Sequence, residues 1–326
     1  MTAAGRLLKA VRVRLDLALI RRHPELSRRR ARDVIEKGQV SVDGRTAVEP
    51  GAPVAEDAEI AWDPHKRALP RARLSLPLLY ADSTLVIVDK PAGLLTVPSA
   101  PGETGEDTAL ARVEDYARHL SPRRAFVGVV HRIDRGTSGA VAFALSPAAR
   151  QELRALFRQH RIERRYSAIV EGEPRGVQGV VDLPIRDAYA GGKRGVAREG
   201  EPSRPALTRW KVVERLPGAA LLDIELETGR QHQIRVHLAH IGHPILGDAA
   251  YRRKEGRHPP VAARRPLLHA RLLAFVHPLT GVAIRAESPL PEDFRRTIEA
   301  LRAHSRPRSP VTRSRRAGPR GSSGAP

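Results

Sequence analysis

A chain of 326 residues has room for about two domains, and with 41% hydrophobic and 29% charged residues it is neither a disordered nor a fibrous polymer. A formal charge of +21 and a pI of about 11.3 make polyanions, nucleic acid first, the leading partner class. The lack of cysteine excludes disulfides, thiolate metal sites and a cysteine nucleophile and fits a reducing cytosol, while no apolar run is long enough to cross a bilayer, so a cytoplasmic protein without a membrane partner is expected.

Residues 1–10 read as an N-terminal extension. The first fifteen residues are Arg-rich and acid-free, as in a transit peptide, but the apolar pattern running on from Val13 argues against cleavage. Leu15, Leu19 and Ile20 recur at helical spacing up to a break at His23-Pro24. Ser27 is placed to cap a second helix through Val34 and Ile35, which stops at Lys37-Gly38. Alternation around Asp43-Gly44 predicts a hairpin, closing a compact unit over 11–63. The Pro- and Arg-rich stretch 64–72 reads as a linker.

From Leu78 the pattern turns to strands: Leu78 to Tyr80, Leu85 to Val88, Phe126 to Val130 and Val141 to Leu145. Ser146-Pro147 then opens a helix with Leu153, Leu156 and Phe157 on one face. Further strands are predicted at Ser167 to Val170, Leu207 to Val213 and Leu221 to Leu226, followed by a helix near Gln233 to Ile241. The expected class is α+β, a domain over 73–303 with a mixed β-sheet and flanking helices. Residues 304–326, with six arginines and no acid, read as a disordered basic tail, and the charge stays strongly positive without it.

In the N-terminal unit, Ser27, Arg28, Arg29 and Arg30 sit at a helix start with Arg32 and Lys37 further on. Such a cluster is either a solvated face or a phosphate site that joins backbone N–H groups to charge. The stretches Arg14-Leu15-Asp16, Leu26-Ser27-Arg28, Ile35 to Val40 and Val42-Asp43-Gly44 resemble the α-L RNA-binding module named after ribosomal protein S4, which implies RNA binding through Ser27, Arg28, Arg29, Arg30 and Lys37.

The polar run His131-Arg132-Ile133-Asp134-Arg135-Gly136-Thr137-Ser138-Gly139 lies between two apolar strands, a mounting common for active-site groups. Asp134, flanked by Arg132 and Arg135, is kept ionised there as nucleophile or base; alternatively the run is a turn whose Asp and Thr satisfy backbone groups. His-Arg-Ile-Asp followed by Thr-Ser-Gly resembles the signature of RluA-type pseudouridine synthases. The family's order continues through Val88 to Leu94, Arg165 to Ala168, Glu227 to His237, Gly242 to Asp248, Leu268 to Ala270 and His277-Pro278. An ordered string of motifs is far more specific than one match.

That resemblance implies isomerisation of uridine within RNA by a pseudouridine synthase domain that uses neither metal nor cofactor. Asp134 would be the essential carboxylate, either attacking the anomeric carbon or abstracting a proton on the way to a glycal-like intermediate. Tyr166 would lie against the target base and move the proton, its alternative being a core aromatic. Arg235 would pair with Asp134, its alternative being a phosphate contact or a surface position. Arg132 would enter the stack in place of the flipped uridine, or serve only as a charge partner of Asp134. His131, Lys90, Arg230 and Gln233 complete the expected RNA contacts. The expected substrate is large-subunit ribosomal RNA, with transfer RNA as the alternative, and the expected state is a monomer. Departures at Ser203-Arg204 and Arg252 bear on local RNA contacts only.

Two rivals are a non-catalytic RNA-binding or ribosome-assembly protein and an RNA base glycosidase, the latter needing a second carboxylate that the Asp134 loop lacks. His232, His237, His240 and His243 crowd one segment, but no carboxylate is interleaved at ligand spacing, so no metal is expected.

Overall fold

The computed structural model describes residues 12–47, 50–66, 75–100, 103, 105–120, 125–186, 194–252 and 258–304. The extension 1–10, most of the linker and the tail beyond His304 lie outside the described residues.

In the N-terminal unit, β1 (Arg12–Arg14) runs directly into α1 (Leu15–Arg22), whose Leu15 and Leu19 bury against Ala31, Val34 and Ile35 of α2 (Arg28–Glu36). Ser27 Oγ accepts from the Arg30 N–H at 3.2 Å, satisfying one of the first-turn donors, as its spacing predicts. Strands β2 (Val40–Val42) and β3 (Arg45–Ala47) form the expected hairpin, with Asp43 and Gly44 both at positive φ, 48° and 74°. That backbone matches the twist of the flanking strands. With β1, two further strands absent from the sequence reading complete the unit: β4 (Pro53–Ala55) pairs with β1, and β5 (Ile60–Trp62) pairs with β2.

Among the described residues, the larger unit is built on one mixed sheet of ten strands. Its elements in chain order are β6 (Leu78–Ala81), β7 (Leu85–Lys90), α3 (Ala109–Leu120), β8 (Gly128–Val129), β9 (Ser138–Ala144), α4 (Pro147–Arg158), β10 (Glu163–Glu171) and β11 (Gln178–Asp182). After the small β12 (Ile185–Arg186) and β13 (Ser203–Arg204) pair come β14 (Leu207–Leu216), β15 (Ala219–Leu226), α5 (Gln233–His240), β16 (Leu268–Val276), β17 (Ala283–Glu287) and α6 (Glu292–Ala303). Strand order is β11-β14-β15-β10-β16-β9-β7-β6, with β17 on β16 and β8 on β9. Every pairing is antiparallel except β16 with β9.

Both faces are covered. In β7, Val86 and Val88 join α3 and α5 in one core, while Leu85 and Ile87 join α4 in the other. Continuous apolar runs such as Leu85 to Val88 follow from burial on both sides. Tyr166 lies in the first core, on the face that α5 covers.

The structure corrects several element boundaries. The strand expected over Phe126 to Val130 shrinks to β8, and β10 begins four residues before Ser167. The sequence reading does not resolve α3, α6 or β16, the last lying at the centre of the sheet. Where β9 leaves the Asp134 loop, Gly139 sits at φ 115°, and a Cβ there would lie 2.2 Å from the Ala270 carbonyl oxygen. Only glycine lets β9 and β16 meet at that point. No helix among the described residues is long and apolar enough to cross a membrane.

Candidate active site

Three elements converge at the junction of β9, β16 and β10. The turn ahead of β9, closed by the Thr137 N–H on the Asp134 carbonyl at 3.0 Å, carries Asp134. Strand β10 carries Tyr166 opposite Ala270 of β16, beside an irregularity between Arg165 and Tyr166. The first turn of α5 carries Arg235. Together they wall a cavity of about 660 Å³, ample for a nucleoside. Arg132, Arg158, Arg164, Arg230 and Arg235 line it, and Asp134 is the one carboxylate among the described residues of the wall.

Arg235 Nη1 donates to Asp134 Oδ2 at 3.2 Å, while Nε and Nη2 grip both oxygens of Asp248 at 2.7 and 2.8 Å. The same guanidinium lies 5.0 Å above the Tyr251 ring. Burial opposes its charge, but Asp248 and then Asp134 hold its pKa above the ordinary arginine value. Asp134 Oδ1 has no hydrogen-bond partner among the described residues, which leaves one carboxylate oxygen free. Tyr166 is 8% exposed, and burial, opposed by Arg164 and reinforced by Asp134, raises its phenol above its ordinary value, so it stands in the cavity wall as a neutral ring. Thus Asp134, Tyr166 and Arg235 come together, and Arg235 is neither a surface residue nor a bare phosphate contact.

The expected RNA contacts divide. Arg132 is exposed at the cavity wall, with no ion pair or hydrogen bond among the described residues. Arg230 also lines the cavity, its Nε bound to the Pro205 carbonyl at 3.0 Å. His131 joins the wall as a neutral ring: its Nε2 accepts from the Ala142 N–H at 2.9 Å, and burial with the nearby Arg164 charge pushes its pKa down to about 3.

Two expectations need correction. Gln233 is 2% exposed, with its carbonyl oxygen taken by Thr228 Oγ1 and the Arg230 N–H and its amide by the Leu207 carbonyl and Thr208 Oγ1. It has nothing left for RNA and instead fixes the loop entering α5. Lys90 is fully buried, and its Nζ donates to the carbonyls of Pro91, Leu94 and Arg135 at 2.9, 2.7 and 3.4 Å. Burial pushes its pKa down to about 7 against the pull of Asp134, yet three carbonyls match the three N–H bonds of the protonated form. Lys90 therefore ties the segment after β7 to the Asp134 loop. Lys90→Met is expected to lower stability by about 1–3 kcal/mol for each buried carbonyl left unpaired, while RNA affinity holds. Thermal unfolding with filter binding checks this, since a direct RNA ligand would instead lose affinity.

The sequence gives no role to Asp248 or Tyr251, and it raises His232 only as a metal ligand. Asp248 closes the motif Gly242 to Asp248, but nothing in the sequence shows that Arg235 bridges it to Asp134. In the N-terminal unit, Arg14 pairs with the buried Asp16, while Arg30 and Lys37 pair with Asp33. Arg29 and Arg32 are exposed and form no ion pair among the described residues.

This arrangement of one clamped carboxylate, a buried tyrosine and a cationic wall suits an enzyme that works on a base in a polyanionic chain, and comparison with known proteins agrees. The family model for RNA pseudouridylate synthase matches residues 84–240, and that for the S4 domain matches 13–60. An uncharacterized RNA pseudouridine synthase of Synechocystis sp. is 34% identical, the alignment covering 93% of each chain. Ribosomal large subunit pseudouridine synthase D of Pseudomonas aeruginosa is 36% identical, covering 89% of this chain and 92% of its own. The solved structure of human RNA pseudouridylate synthase domain containing 4 superposes with a TM-score of 0.57 at 26% identity, over 69% of this chain and 92% of that one. The chain belongs to the RNA pseudouridine synthases of the RluA type and carries an S4 domain ahead of the synthase domain.

Proposed function

We propose that this enzyme isomerises uridines in large-subunit ribosomal RNA, with Asp134 as the acting carboxylate and no cofactor. The observation that carries the reading is the cavity wall itself, five arginines around one carboxylate beside a buried tyrosine. Cations hold the phosphates flanking a flipped nucleotide, and Arg132, exposed next to Asp134, fills the gap the base leaves. With Oδ2 clamped by Arg235, Oδ1 meets the ribose and either attacks C1′ or takes the C2′ proton. The bond from C1′ to N1 breaks with its electron pair going to the uracil, the uracil turns against the Tyr166 ring, and C5 bonds to C1′ as the ester to Asp134 breaks or, on the other route, as C2′ regains its proton from Asp134. The C5 proton is then lost to solvent and N1 takes one up, so the RNA keeps its composition.

A glycosidase would use a second carboxylate in the wall, and Asp248, which shares Arg235 with Asp134, is held by two hydrogen bonds from that guanidinium. The choice of ribosomal RNA is supported by the relative from Pseudomonas aeruginosa, which aligns over nearly the whole of both chains. The division into an S4 unit over 11–63, a linker over 64–72, a synthase domain over 73–303 and a basic tail, and a cytoplasmic place of action, go with this reading.

Incubation with large-subunit ribosomal RNA is expected to give pseudouridine with no change in RNA mass. Free uracil and abasic sites would mean a glycosidase, and unaltered RNA would favour a binding protein. Activity confined to transfer RNA would change the substrate and keep the chemistry. For the S4 unit, replacing Arg29 and Arg32 together by Ala is expected to flatten the slope of log affinity against log salt by about one unit for each phosphate no longer neutralised. A titration parallel to the unmodified protein would remove these side chains from the RNA surface.

A further inference from the structure

His232 precedes α5 in a left-handed backbone conformation, φ 59°, yet gives the helix no side-chain cap. That conformation is uncommon for a residue with a Cβ, and here it turns the ring into the cavity wall between Asp134 and Tyr251. A chain of hydrogen bonds meets its ring. The Arg194 backbone N–H donates to the Tyr251 hydroxyl oxygen at 3.2 Å, and that oxygen lies 2.8 Å from His232 Nδ1, within reach for the hydroxyl to donate to the ring. With the hydroxyl as donor the imidazole proton sits on Nε2, which lies 3.9 Å from Asp134 Oδ2, the oxygen already held by Arg235. The opposite tautomer would set a nitrogen lone pair against the carboxylate. A separation of 3.9 Å is too long for a hydrogen bond in the free enzyme, but such contacts tighten when substrate closes the site.

Resting on the reading of Asp134 as the acting carboxylate, we propose that Tyr251 and His232 are positioning residues: the Tyr251 hydroxyl fixes the imidazole tautomer, and the His232 Nε2–H joins Arg235 in holding Asp134 Oδ2, so that Oδ1 alone faces the ribose. The charged groups that face the ring are Asp134 from the loop before β9, Arg235 on α5, Asp248 between α5 and β16, and Arg194 before β13. Burial lowers the pKa of the imidazole; Arg235 and Arg194 act the same way, and Asp134 and Asp248 oppose them. The ring is therefore neutral at neutral pH and does not compete with Arg235 as a cation.

The test uses full-length enzyme and a C5-tritiated transcript of large-subunit ribosomal RNA. Glutamine can present an N–H where His232 does and leucine cannot, so His232→Gln is expected to keep a kcat roughly tenfold or more above that of His232→Leu, with KM alike in both. Tyr251→Phe keeps the ring under Arg235 and removes only the hydroxyl. Freed of that donor, His232 gains a proton more readily beside Asp134 and Asp248, so the acid side of the kcat profile falls off at a higher pH than in the unmodified enzyme. That displacement should vanish in the Tyr251→Phe, His232→Gln double variant. If the His232 variants do not fold, the Tyr251→Phe profile decides alone. Equal kcat for Gln and Leu, or a Tyr251→Phe profile that superposes on the unmodified one, overturns the proposal, and if Asp134→Asn is inactive it does so without touching the reading beneath. An active Asp134→Asn protein would overturn that reading itself.

Discussion

Asp134→Asn is expected to lower the single-turnover rate of pseudouridine formation by about 10³-fold or more, the scale seen when a group that acts directly on the reacting bond is removed. The side chain keeps its shape, and an amide oxygen can still accept from Arg235 Nη1, now at 3.2 Å from Oδ2. What is lost is charge, since a neutral amide neither attacks C1′ nor takes a proton from C2′. Binding should move the other way. Asp134 is the one acidic side chain among the described residues of a wall with five arginines, so removing it leaves RNA affinity equal or slightly greater. An inactive variant that also fails to bind would point to a structural defect instead.

Arg235→Met should damage both stability and rate, by separate routes. Asp248 has a side chain only 1% exposed and accepts both of its charge-assisted hydrogen bonds from the guanidinium fork of Arg235. Leaving such a carboxylate buried without its partner costs about 3–5 kcal/mol, which denaturant unfolding would register. The rate falls because Asp134 loses the donor that fixes Oδ2. Adding Asp248→Asn removes the stranded charge and should restore most of the stability while the rate stays low. If the double variant recovers activity along with stability, Arg235 serves the fold and not the carboxylate. Arg235→Lys is a weaker replacement, since one ammonium cannot span three oxygens on two carboxylates.

How much of this is legible in the sequence depends on whether the signal is local. The Ser27 cap, the Asp43-Gly44 turn and the Ser146-Pro147 helix start each rest on residues a few positions apart, and the structure has all three. Strand β16 has no such signature. Leu268, His269, Ala270, Leu272 and Leu273 are all buried because the strand is covered on both faces, so its polar and apolar residues do not alternate. Helix α3 carries Val113, Tyr116 and Ala117 on its buried side, but it follows a long polar stretch that hides its start.

The site divides the same way. Asp134, Tyr166 and Arg235 stand out through ordered motifs, although 101 positions separate Asp134 from Arg235. Lys90 and Gln233 read as RNA ligands because charge and polarity say nothing of burial. Lys90 is enclosed at the end of β7 by the very loop it anchors, and Gln233 by the turn it closes. The roles of Asp248 and Tyr251 depend on contacts with Arg235 and His232 that only the packed chain creates.

The most direct test of the central claim is tritium release from large-subunit ribosomal RNA labelled at uracil C5, with unmodified enzyme and Asp134→Asn assayed side by side. Joining C5 to C1′ expels the hydrogen that C5 carried, so release by the unmodified enzyme alone, with RNA mass unchanged, is the expected result. Equal release by both proteins would contradict the assignment of Asp134, and no release by the unmodified enzyme from either ribosomal or transfer RNA would contradict the proposed catalysis.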